Sequence, residues 1–88
     1  MPRYLIEREV GEFEAKDIVA NGKAFVKYAE DVEGIVWIRS YLSEAEGKVY
    51  CEYEAPNPEA IRQHAEIAGI PVTKISLIAM EIEPAMFR

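Results

Sequence analysis

Residues 35–69 constrain the fold more than any other part of the chain. Two strand-like runs, Ile35–Ser43 and Lys48–Ala55, are joined only by the polar segment Glu44–Gly47, a short hairpin loop. The second run leads directly into Pro56-Asn57-Pro58-Glu59, which stops a strand and starts a helix. Asn57 is a good N-cap, Pro58 suits the first helical position, and Glu59 favours the positive end of the helix dipole. Ile61, His64, Ala65 and Ala68 then fall on one helical face, and Gly69 followed by Pro71 ends the helix. Pairing Ser43 with Lys48 across the loop sets Leu42 against Val49, Ser40 against Cys51 and Ile38 against Tyr53. Strand pairing and helix periodicity together converge Ser40, Cys51, Tyr53 and the only histidine, His64, on one spot.

The remaining elements follow from their periodicity. Residues 3–9 read as a strand with Tyr4, Leu5 and Ile6 consecutive, as in a central strand. Residues 14–31 read as one helix with Ala15, Ile18, Val19, Gly22, Phe25, Val26 and Ala29 on a buried stripe. Gly22 there implies a close approach to the sheet or a bend. Thr73–Glu83 reads as a last strand, and Pro84–Arg88 as a tail. The order βαββαβ in 88 residues predicts one α+β domain, a ferredoxin-like sandwich. Its four-stranded antiparallel sheet would carry both helices on one face.

The hairpin's other face carries Trp37, Arg39 and Tyr41 on one strand and Tyr50, Glu52 and Glu54 on its neighbour, with Arg39 opposite Glu52. Three large aromatics on a bare sheet predict a partner, and two copies packed sheet to sheet would cover Trp37, Arg39, Tyr41, Tyr50 and Glu52. Glu7 is placed to join this face from the first strand.

The net charge of −6 argues against nucleic acid and against an anionic membrane surface. The third strand, KVYCEYEA, also lacks the basic and aromatic pattern of an RNA-recognition motif. No apolar run approaches the roughly 18–20 residues of a spanning helix, and the N-terminus has Glu7 and Glu9 where a signal peptide needs its apolar core. A lone cysteine fits a reducing compartment, so the expectation is a cytoplasmic protein.

Two candidate sites emerge. His64 with Cys51 offers soft-metal ligands or a small-molecule pocket, lined further by Ser40, Tyr53 and Trp37. The structural alternative is a neutral buried histidine bonded to Ser40 or Tyr53. A Cys51–His64 nucleophile pair is a further reading, although Cys51 lies mid-strand and faces inward. The second site is the carboxylate group of Glu52 and Glu54, able to hold a divalent ion or move a proton. The run Glu7-Arg8-Glu9 reads as ordinary surface.

The opening MPRYLIERE, the block WIRSYLSE…KVYCEYEAPNPEAIRQHA and the ending AGIPVTKI resemble a bacterial family of small ferredoxin-like proteins, a domain of unknown function named for a nickel-binding member. The resemblance implies a homodimer and, in the nickel-binding branch, a divalent metal held by side chains. That branch has histidines on the first strand, where this chain reads Ile6-Glu7-Arg8-Glu9, and near the end of the second helix, where it reads Ala68-Gly69. The metal set to test here is therefore His64 and Cys51 with Glu7 and Glu54. The leading expectation is a homodimeric binding protein for a divalent metal such as nickel or for a small ligand. The alternatives are a cofactor-independent enzyme of the dimeric α/β-barrel kind and an interaction dimer without ligand.

Overall fold

The computed structural model describes residues 1–30 and 34–88. Its strands are β1 (Arg3–Glu9), β2 (Val36–Ser43), β3 (Lys48–Glu54) and β4 (Lys74–Ile78). Its helices are α1 (Ala15–Ala20), α2 (Gly22–Glu30) and α3 (Pro58–Ala68). The strands form one antiparallel sheet in the order β2-β3-β1-β4, the ferredoxin-like arrangement. The helices lie over one face of the sheet, with α2 beside α3. None of the described helices is long and apolar enough to cross a membrane.

The core lies between α3 and the two central strands. Tyr4 and Ile6 of β1 and Val49, Cys51 and Tyr53 of β3 point inward, where they meet Ala60 and Ile61 of α3. Ile6 and Ile61 are completely buried, each contributing roughly 1.5–3 kcal/mol by leaving water. α3 is terminated as its sequence predicts. The Asn57 side chain accepts from the Ala60 amide at 3.0 Å, and Gly69 takes the left-handed conformation, φ 68°, that closes the last turn. The hairpin turn requires glycine too: Gly47 has φ 66°, and a Cβ there would sit 2.9 Å from the Gly11 carbonyl oxygen.

Three sequence expectations need correction. The helix predicted over residues 14–31 is split at Asn21, whose amide hydrogen-bonds the Ile18 carbonyl while its own carbonyl accepts from Ala24 and Phe25. A Cβ at Gly22 would meet nothing, so this glycine serves the bend and not a close approach. Val19 is 73% exposed and Val26 is exposed, which narrows the stripe to the half-buried Ala15, Ile18, Gly22 and Phe25 and the buried Ala29. Residue 31, placed in this helix from sequence, lies outside the described residues. The last strand ends at Ile78 and not at Glu83, and Pro84–Phe87 form a short 3-10 helix. Ile78 pairs with Arg3, and the residue before Arg3 is Pro2, which has no amide to donate to the ladder.

The third correction concerns Trp37. The register follows expectation from Ser43–Lys48 through Arg39–Glu52, and then a β-bulge intervenes. Trp37, and not Ile38, stands opposite Tyr53. The extra residue turns the indole away from the open sheet face to the helix side, where its N–H finds a partner. Trp37 therefore leaves the predicted interface set, while Arg39, Tyr41, Tyr50 and Glu52 stay on the open face.

Candidate functional site

The bulge, the helix break and the inward side of the sheet enclose a cavity of about 370 Å³. Phe25 from α2, Trp37 and Leu42 from β2 and Val49 from β3 are among the residues of its apolar wall. Its polar groups come from β1, α2, β2, β3 and α3, namely Arg8, Tyr28, Ser40, Cys51, Tyr53 and His64. Another hollow, about 480 Å³ and shallower, lies beside α3 and β4 and holds neither of the two buried polar residues.

Part of this polar group is fully engaged. The Trp37 indole N–H donates to Ser40 Oγ at 3.0 Å, and the Ser40 hydroxyl donates in turn to Cys51 Sγ at 2.9 Å. This chain ties the bulge to the central strand. Cys51 is not hydrogen-bonded to His64, whose ring nitrogens have no partner among the described residues.

His64 is different. It is 2% exposed, yet neither ring nitrogen has a hydrogen-bond partner among the described residues. The expected bond to Ser40 or Tyr53 is absent from this geometry, and the His64 ring meets the Tyr53 ring edge-on, centroids 5.3 Å apart. Burial, reinforced by the positive charge of Arg8, holds its pKa below the usual 6.5 and keeps the imidazole neutral. Burial also pushes the Tyr53 phenol up to about 12, so it remains an O–H.

The residue that sequence reasoning missed is Arg8. It is 2% exposed, at the inward-facing end of β1. Nη1 donates to the Pro71 carbonyl at 2.8 Å, Nη2 reaches the Tyr53 hydroxyl only at 3.5 Å, and Nε has no partner. The guanidinium carbon lies 5.9 Å from the centre of the Tyr53 ring. None of the ion pairs among the described residues includes Arg8. The signal was available in the alternation itself: Tyr4, Ile6 and Arg8 share one side of β1 by period two, and the first two are core.

The proposed metal donors are not brought together. Glu7 faces the open side of the sheet, where its carboxylate lies 3.6 Å from Lys48 Nζ, and Glu54 alternates onto that same side. His64 and Cys51 are on the helix side, beside a guanidinium that repels a cation. Among the described residues no cluster of three or more His, Cys, Asp or Glu exists. The four residues do not fit a metal within one chain. On the open face Glu52 accepts from the Tyr41 hydroxyl at 2.8 Å and faces Arg39 at 3.8 Å, so its charge is locally answered.

What remains is a largely apolar cavity with two buried polar side chains that keep unpartnered nitrogens, Nε of Arg8 and both ring nitrogens of His64. Buried polar atoms are almost always satisfied, so unpartnered groups in a cavity single it out as the candidate site.

A family model described as "Nickel responsive protein SCO4226-like" matches residues 4–78. The crystal structure of SCO4226 from Streptomyces coelicolor A3(2) superposes with a TM-score of 0.78 at 20% identity, covering 91% of this chain and 99% of that one. A structural-genomics structure of the protein YJCS superposes with a TM-score of 0.52 at 16% identity, covering 92% of this chain and 100% of that one. At these identities the likeness establishes the fold. No curated protein sequence matches the chain.

Proposed function

The chain belongs to the nickel-responsive SCO4226-like family, and from that premise and the geometry of its cavity we propose that it is a small-molecule-binding protein whose ligand lies between the helices and the sheet. The observation that carries this reading is His64, buried in the wall of a 370 Å³ cavity with both ring nitrogens unpartnered. That volume falls in the lower part of the roughly 300–1,000 Å³ typical of ligand pockets. Nickel belongs to the family's description. In this chain the donors are divided between the two faces of the sheet, which favours an organic ligand for the helix-side cavity.

Filling the cavity tests the reading. Ala68 lines it from the last turn of α3, so Ala68→Phe puts a ring into vacant space. We expect the variant to fold with stability close to the parent's and to lose the organic molecule that native mass spectrometry detects on the parent. If the space is ordinary core, the same substitution overpacks it at a cost of about 1–3 kcal/mol, and no bound molecule is seen on either protein.

The assembly proposed with this function is a homodimer through the open sheet face. Tyr41, 51% exposed, shares a groove of about 390 Å³ with Leu5, Ile78 and Met80. Met80, which lines this groove, is itself 71% exposed. A second copy supplies matching apolar groups and, through Arg39 and Glu52, charges of both signs. Sedimentation velocity is expected to give about twice the 10.0 kDa chain mass, and Tyr41→Glu to return it to one chain. A monomeric parent would overturn this part of the proposal.

A further inference from the structure

The cavity presents a positive charge that no carboxylate among the described residues neutralises. The chain has 16 acidic residues against 10 Lys and Arg, yet none of the described carboxylates reaches Arg8. A buried guanidinium without an anion is costly, and several kcal/mol of desolvation per ion is the usual scale. The part of the guanidinium left without a good partner is also specific. Nη1 is spent on the Pro71 carbonyl, which leaves the edge formed by Nε and Nη2, where Nε is unpartnered and Nη2 has only its long contact to Tyr53. Those two N–H groups point side by side, the fork that receives both oxygens of a carboxylate.

We infer that the ligand of this cavity is a small organic monoanion, a carboxylic acid with a compact apolar body. Its carboxylate takes the Nε–Nη2 edge of Arg8, and its body lies among Phe25, Trp37 and Leu42. The inference rests on the binding reading given above and names the class of ligand. A single charge is specified because Arg8 is the only buried cation among the described residues and His64 beside it is neutral. A phosphate dianion would carry one uncompensated charge into an apolar wall. A metal cation would meet the guanidinium directly. His64 can donate one ring N–H to a carboxylate oxygen, which gives its idle nitrogen a partner.

Trp37 is the only tryptophan, so its fluorescence reports the cavity alone. The test titrates phenylacetate and cyclohexanecarboxylate against their neutral amides, phenylacetamide and cyclohexanecarboxamide, at pH 7. We expect saturable changes for the acids with affinity at least about thirtyfold above the amides, and a ratio near one in Arg8→Met. Arg8→Lys, which keeps the charge and loses the fork, should recover only part of the preference. Amides that bind the parent as well as the acids, with Ala68→Phe abolishing both, would overturn the anion while leaving the cavity a ligand site. A response to none of the four compounds, or one that Ala68→Phe leaves unchanged, would overturn both.

Discussion

Arg8→Met is expected to make the ligand-free protein more stable, by about 1–3 kcal/mol in urea unfolding at pH 7. Desolvating a guanidinium costs several kcal/mol, and its compensation here is incomplete. One charged hydrogen bond to Pro71, worth roughly 1.5–3 kcal/mol, and a contact with the Tyr53 ring, roughly 0.5–2 kcal/mol, stand against a buried Nε with no partner. Methionine fills a similar volume and carries no charge. It orphans the Pro71 carbonyl, a cost of about 1–3 kcal/mol that limits the gain. A residue that lowers stability until something binds it is what a binding site contains and what a packing residue does not. A loss of 3 kcal/mol or more in the variant would show that Arg8 holds the fold together.

The second large effect is a pH dependence centred on His64. Its folded-state pKa lies below the unfolded value of about 6.5, so the unfolded chain takes up a proton first as pH falls. The stability this group contributes is complete above about pH 6.5 and is lost as pH drops from there through the folded value. The steepest slope one proton allows is about 1.4 kcal/mol per pH unit. The groups facing His64 act in the same direction or stay silent: Arg8 from β1 opposes protonation, and Tyr53 from β3 remains neutral. In His64→Leu this slope should disappear, and stability at pH 7 should hold or rise, because no hydrogen-bond partner is left behind. Parallel pH profiles for the two proteins would mean that His64 stays hydrated.

Local rules made α3 and most of the hairpin readable from the sequence. A cap at Asn57, a proline at the first position and a left-handed Gly69 act within a few residues. The register next to the turn follows from a four-residue loop. Trp37 was misplaced because the bulge at Ile38 depends on distant events, the indole finding Ser40 and a cavity large enough to receive it. Met80 and Ile82 continue the apolar alternation of β4 in the sequence, while the ladder stops at Ile78 because the residue before its partner Arg3 is a proline. Arg8 is the instructive case. Charge and flanking glutamates suggest surface, whereas strand parity with Tyr4 and Ile6 puts it inside, and parity decides. The convergence of Ser40, Cys51, Tyr53 and His64 follows from pairing and periodicity. Which of them are idle is a matter of hydrogen-bond geometry that periodicity does not express.

The measurement that reaches the central claim most directly is the Arg8 Nε–H resonance in a ¹⁵N NMR titration with phenylacetate. An unpartnered N–H that gains a carboxylate should move downfield and become protected from solvent exchange. Movement to a saturating end point, absent with phenylacetamide and absent in Ala68→Phe, is the predicted result. An Nε–H that stays unmoved while phenylacetate shifts resonances elsewhere would contradict the account.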